Sequence, residues 1–222
     1  MNKNKPTYDA NLQWDYENGF YLTSHITRIP KMLAHYELYK SIINLPGQVV
    51  ECGVFKGASF TRFCTFRDVL ESPYSRKIIG FDMFGKFPIP VETDDAHFVE
   101  KFEQSAGDGI NAEELSHYLA SKGIVNFELI KGNILSTLDD YLLQRPELKI
   151  ALLHVDVDVY KPTVHILDRL YKHMVPGGVI MFDDYATVAG ETKAVDEFLA
   201  GKNLKIEKLS ISHIPCFVKK PL

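Results

Sequence analysis

The chain has 222 residues, 45% hydrophobic and 24% charged, with a formal net charge of -4, enough length for one α/β domain with a sizeable core. The acidic balance and the lack of a dense Lys/Arg block argue against a nucleic-acid partner, and no apolar run approaches the roughly 18 residues of a membrane span. Cys52, Cys64 and Cys216 are odd in number and lack C-x-x-C spacing, which argues against a disulfide framework or zinc site. With a polar start from Met1 to Tyr8, they predict a cytoplasmic protein with reduced, buried thiols.

In chain order, residues up to about Thr7 are predicted disordered, and Arg28 to Ile43 carries apolar residues at helical spacing. Pro46-Gly47 turns into a first strand, Gln48 to Cys52, followed by a glycine-bracketed loop and a helix over Ala58 to Leu70. Lys77 to Phe81 forms a second strand ending at Asp82. Residues 84–110 lack clear periodicity and carry Pro88, Pro90 and Gly107-Asp108-Gly109, so they are predicted to form a lid-like insertion. A helix follows over Asn111 to Lys122, with Asn111 as N-cap and Glu114 completing a capping-box variant.

Phe127 to Ile130 is the third strand and Leu135 to Leu143 the next helix. The fourth strand runs from Ile150 to Asp156, and Pro162 opens a helix. Pro176-Gly177-Gly178 turns into the fifth strand, which ends at Asp183-Asp184. Thr192 to Leu199 is a short helix, and Leu204 to Leu209 with Ser212 to Val218 forms a closing strand pair. Strands alternating with helices predict an α/β, doubly wound, mostly parallel sheet with an antiparallel last strand. One domain is expected, with an N-terminal helical extension over 1–47 and a catalytic core over 48–222.

Two acidic groups end apolar strands: Asp156-Val157-Asp158 and Asp183-Asp184. In open α/β sheets ligands bind beyond the carboxyl ends of the strands, so both groups should meet in one crevice. Crowded carboxylates repel one another unless a cation or shared protons relieve them, which points to a hard divalent ion such as Mg²⁺. If the fourth strand continues, Asp156 and Asp158 share a face, one for metal and one for the acceptor, against the plainer reading of Asp158 as a turn or cap residue. His154, within that strand, reads as a buried inter-strand residue rather than a base. Asp94-Asp95 and Asp139-Asp140, without strands before them, read as surface charges. His35, Tyr36, Tyr160 and Tyr185 either approach the site or pack, and Trp14 with its neighbouring tyrosines suits a flap or a subunit contact.

The first loop, Glu51-Cys52-Gly53-Val54-Phe55-Lys56-Gly57, is not a dinucleotide fingerprint, because Phe55 stands where backbone must approach a pyrophosphate. It is not a P-loop either, since no G-K-[ST] follows. Asp82 at the end of the second strand can accept bonds from ribose hydroxyls. Together these features favour an adenosine ligand without phosphates, S-adenosyl-L-methionine.

The stretches Glu51-x-Gly53-Val54-x-x-Gly57, Asp82, Asp156-x-Asp158-x-Tyr160-x-x-Thr163, and Pro176-Gly177-Gly178 before Asp183-Asp184-Tyr185 resemble the macrocin O-methyltransferase family over about residues 28–200. The resemblance implies a class I methyltransferase (Rossmann-like) fold and Mg²⁺-dependent methylation of a hydroxyl from S-adenosyl-L-methionine. The acceptor it implies is a small molecule, a (deoxy)sugar or sugar nucleotide, with no nucleic-acid or membrane partner. It places metal ligands on Asp156, Asp183 and Asp184 and a general base on Asp158. Cofactor contacts fall on Glu51, Gly53, Phe55, Gly57 and Ser59, on Asp82 and Met83, on Gly132 and Asn133, and on Asp156. Two departures stand out: Met83-Phe84-Gly85-Lys86 where the family often has Ser-Phe-Glu-Gly, and Asn133 where an acidic residue is common.

A metal lowers the pKa of a bound hydroxyl and a carboxylate then takes its proton, while the collinear geometry of methyl transfer rewards positioning. Two further readings remain at this stage: methylation of a catechol or other vicinal diol, and a non-catalytic nucleoside-binding protein of the same fold. A phosphohydrolase is disfavoured because no D-x-D ends the first strand.

Overall fold

The computed structural model describes residues 8–88 and 93–222. Two helices, α1 (Gln13–Thr23) and α2 (Arg28–Lys40), precede strand β1 (Gln48–Cys52) and helix α3 (Ala58–Leu70). Then come β2 (Ile78–Asp82), α4 (Thr93–Ala106), α5 (Ala112–Ser121), β3 (Phe127–Lys131), α6 (Ile134–Gln144) and β4 (Ile150–Val155). The chain ends with α7 (Tyr160–Leu170), β5 (Met174–Phe182), α8 (Ala189–Leu199), β6 (Glu207–Lys208) and β7 (Cys216–Lys219). The strands form one seven-stranded sheet in the order β3-β2-β1-β4-β5-β7-β6. Strands β1 to β5 are parallel, and β7 and β6 close the sheet antiparallel.

Side chains alternate along each strand, so the parallel strands feed two cores. Val49, Ile78, Leu152 and Val179 face α2, α3 and α5, burying Leu38, Tyr39, Phe60, Phe63 and Leu119. Val50, Ile79, Leu153 and Ile180 face the other way, against Leu138 of α6, Ile166 and Leu167 of α7 and Val195 of α8. The same alternation puts Glu51 and His154, register partners on adjacent β1 and β4, on the α2 side.

Helix α2 is fastened to the sheet by Arg76. Its guanidinium donates to the carbonyls of Ile42, Ile43, Leu45 and Gly47, and pairs with Glu71 at 2.8 Å. Glu71 in turn accepts the Tyr39 hydroxyl at 2.7 Å. A buried cation saturated in this way fixes the α2–β1 connection, and with it Lys31 and His35 of α2.

Several boundaries differ from the sequence reading. Helix α1 was not anticipated; its residues are all at least partly exposed, with Trp14 at 68%. The 84–110 insertion carries the 14-residue α4, whose amphipathicity is masked by its acidic start. Strand β4 ends at Val155, and residues 156–158 turn instead of extending it. Strand β5 begins earlier, at Met174, running through Pro176 to Gly178. The expected closing strands shrink to two and four residues. The disorder expected before Thr7 lies outside the described residues.

Candidate active site

A cavity of about 650 Å³ opens beyond the carboxyl ends of β1, β2, β4 and β5. One wall is the β1–α3 loop. Gly53 has φ +93°, and a Cβ there would sit 1.7 Å from the Asp156 carbonyl oxygen. Phe55 takes a left-handed φ of 50°, and its ring packs 5.2 Å from Phe102 of α4. Ser59 lines the cavity from the first turn of α3.

Asp82 organises this loop. One carboxylate oxygen accepts the Val54 and Phe55 amides at 2.8 and 2.9 Å, and the other accepts the Phe84 amide. Asp82 also lines the cavity. Met83, Gly132 and Asn133 complete this end, with Asn133 capping α6 through the Leu135 amide at 3.0 Å. Gly57, at φ +81°, turns the chain into α3 behind the cavity and packs against Leu115.

A buried polar chain leads from β1 to Asp183. Glu51 Oε1 meets His154 Nδ1 at 3.0 Å, and His154 Nε2 meets Asp183 Oδ1 at 3.3 Å. Burial alone would lower the His154 pKa, but its bonds to Asp183 and Glu51 push it up to about 10. The two carboxyl groups on either side thus favour the protonated form of the His154 ring. His35, stacked on Phe63, has its Nε2 3.7 Å from Asp183, and burial lowers its pKa to about 4. Lys31 Nζ pairs with Asp183 Oδ2. Burial would raise the Asp183 pKa, but the His154 bond and the approach of His35 and Lys31 hold it well below the usual carboxylate range. Glu51 itself is fully buried and lies behind the cavity wall; its Oε2 has no hydrogen-bond partner among the described residues.

Asp156, Asp183 and Asp184 bring carboxylate oxygens within 4.8 Å of one another. Burial, then Asp183, pushes the Asp156 carboxyl well up; burial, then Asp184, does the same to Asp158. Asp158 stands in the 156–158 turn with φ +62°, a strained backbone for a side-chain-bearing residue. It lines the cavity, where Asp184 adds to the rise in its proton affinity. It does not cap α7: the N-cap is Val159, and Asp95 of α4 accepts the Tyr160 amide at 2.9 Å. Behind Asp184, buried Glu191 accepts its amide at 2.9 Å.

The structure therefore brings Gly53, Phe55, Ser59, Asp82, Met83, Gly132, Asn133, Asp156, Asp158, Asp183 and Asp184 to one cavity. Glu51 and Gly57 lie behind its wall. Asp158 arrives by a different route from the expected one, through a left-handed turn and not by strand alternation. Asp95 is not a surface charge: it is 5% exposed and faces the cavity. Asp139 pairs with Arg169 at 2.8 Å on the surface. His154 is the buried inter-strand residue expected, while Tyr160 and Tyr185 donate to Glu197 and Asp196 of α8. Lys31, Arg28 and Arg62 line the cavity and were missed, since nothing in their spacing separates them from solvated charges.

The strand order and the cavity at the switch point between β1 and β4 are those of a class I methyltransferase fold. The solved calicheamicin methyltransferase CalS11 superposes with TM-score 0.72 at 24% identity, over 97% of this chain and 87% of that one. The O-methyltransferase NovP superposes with TM-score 0.74 at 20% identity, over 87% and 81%. In sequence, residues 31–220 match the family model for macrocin-O-methyltransferase (TylF), and the chain belongs to that family. A relative, mycinamicin III 3''-O-methyltransferase of Micromonospora griseorubida, is 28% identical over 162 residues, 69% of this chain. The chain spans 61% of that relative's length. No helix among the described residues is long and apolar enough to cross a membrane.

Proposed function

We propose that this chain is a metal-dependent S-adenosyl-L-methionine O-methyltransferase acting on a hydroxyl of a sugar or sugar-containing small molecule. The observation that carries the reading is the convergence of Asp156, Asp183 and Asp184 in the same cavity that the Gly53–Ser59 loop and Asp82 line. Three clustered carboxylates form an oxygen donor set suited to a hard divalent cation. The close approach at Gly53 and the Asp82 carboxylate suit a nucleoside without phosphates. Family membership, together with the description of CalS11 as a TDP-rhamnose 3'-O-methyltransferase, supports the sugar acceptor.

When bound, the cation lowers the pKa of an acceptor hydroxyl and the sulfonium supplies the methyl group. The remaining work falls to the protein. Asp156, Asp183 and Asp184 hold the cation, with His154 and Glu51 fixing Asp183 from behind. Asp158, whose half-buried carboxyl has raised proton affinity, accepts the hydroxyl proton. Phe55 and Phe102 wall the cavity from water on the α4 side.

The test is methyl transfer from labelled S-adenosyl-L-methionine to a panel of deoxysugar nucleotides, glycosides and catechols, with Mg²⁺ and after exhaustive chelation. Transfer to a sugar hydroxyl that chelation stops is the expected result. Transfer unaffected by chelation overturns the metal assignment, and transfer to catechols alone overturns the acceptor class.

A further inference from the structure

The two oxygens of Asp183 are unequally free. Oδ1 faces the buried imidazoles, His154 Nε2 at 3.3 Å and His35 Nε2 at 3.7 Å. Oδ2 is held instead by Lys31 Nζ. Lys31 is reached from α2, its side chain is 15% exposed, and it lines the same cavity as the three carboxylates. Asp156 and Asp184 add to the attraction of Asp183 on this ammonium. One cation already sits where the carboxylate triad would concentrate another.

We propose that Lys31 is a built-in stand-in cation: its ammonium occupies the carboxylate triad in the metal-free protein and must leave Asp183 Oδ2 before a divalent ion can take that oxygen. This rests on the metal-site reading above and adds to it. Without a cation, three clustered carboxylates in a partly dry site repel one another strongly. Lys31 relieves that repulsion, so the cluster can form before metal arrives. A divalent ion carries twice the charge and coordinates several oxygens at once, so it prevails at sufficient concentration, but its apparent affinity is reduced by the competition. The flexible four-carbon stem of lysine lets the displaced ammonium remain in the cavity wall.

Calorimetric titration of Mg²⁺, and of Mn²⁺ as a second probe, into wild-type, Lys31→Met and Lys31→Arg proteins tests this. Removing a competing unit charge at contact distance should tighten divalent binding by about tenfold or more in Lys31→Met. Lys31→Arg, which keeps the charge, should stay near wild type. In thermal melts without metal, Lys31→Met should unfold at a lower temperature than wild type, and added Mg²⁺ should close that gap, which also shows that the variant folds. Unchanged or weaker binding by a folded Lys31→Met protein overturns the proposal and leaves the metal site standing. Binding of neither ion by any of the three proteins overturns both the proposal and the metal site. Binding by Lys31→Met alone supports both, with the lysine as the dominant occupant.

Discussion

The Cα of Gly53 lies so close to the backbone of Asp156 that a Cβ would sit 1.7 Å from the Asp156 carbonyl oxygen. The Asp156 amide also donates to the Cys52 carbonyl at 2.8 Å. The first loop and the first proposed metal ligand are therefore one rigid junction between β1 and β4.

Gly53→Ala should break that junction. Alanine at φ +93° is strained, and the clash is with backbone, which cannot rotate away. A loss of about 3 kcal/mol or more is expected, lowering the melting temperature by roughly 6–12 °C for a chain of this size. Binding of S-adenosylhomocysteine should fall with it. A melting temperature within about 2 °C of wild type would show that the two loops can part at little cost.

Asp95→Ala should weaken the start of α7. Its carboxylate is the acceptor for the Tyr160 amide, 65 residues away in sequence. Loss of a helix cap costs about 1 kcal/mol, rising to about 2 where the partner is left buried. Because this bond ties α4 to the turn carrying Asp158, faster hydrogen exchange at the α7 amino end should accompany the loss. Unchanged exchange there would mean water replaces the carboxylate.

How these residues could be read in advance differs case by case. The five parallel strands were legible because each is a short apolar run bounded by Pro, Gly or charge, and the acidic pairs were legible because they end two such runs. Gly53 and Gly57 were legible as loop glycines. Asp95 was not, because its role depends on a fold-back of α4 that leaves no local pattern. Asp158 was legible as a candidate but not in its backbone, since a left-handed aspartate has no signature that separates it from an extended one. Lys31 and His154 acquire their roles only when α2 and β4 meet on one face of the sheet, a relationship that register supplies and spacing does not.

Glu191 offers a pH test. Its carboxyl is fully buried and held well above the usual carboxylate range, by burial first and by Asp184 next. A carboxyl whose folded pKa is raised costs nothing below its unfolded pKa, near 4.5, and destabilises the fold increasingly as pH rises above that value. Glu191→Gln keeps an acceptor for the Asp184 amide and removes the ionisation. Measured without divalent ions, its stability should equal that of wild type near pH 4 and exceed it progressively toward pH 7 and above. A stability difference that is independent of pH would show that Glu191 ionises without penalty.

Asp158→Asn tests the proposed base. The residue stands in the cavity in a left-handed turn that asparagine adopts more readily than most residues, so the backbone should survive the change. Asparagine keeps the shape and one acceptor but cannot take a proton at neutral pH. It also removes one carboxyl from the pair with Asp184, so the apo protein should be at least as stable as wild type. Loss of general-base help lowers kcat by roughly 10²-fold or more. Affinity for S-adenosylhomocysteine should be nearly unchanged, because the substitution leaves the Gly53–Ser59 loop and Asp82 intact. Raising the pH should recover part of the lost rate as the acceptor hydroxyl ionises without assistance. Wild-type turnover in a folded Asp158→Asn protein would remove Asp158 from the chemistry. His154, held between Glu51 and Asp183 with its proton affinity raised by both, is a poor substitute as a base, which would leave His35, whose pKa burial lowers, as the histidine to test next.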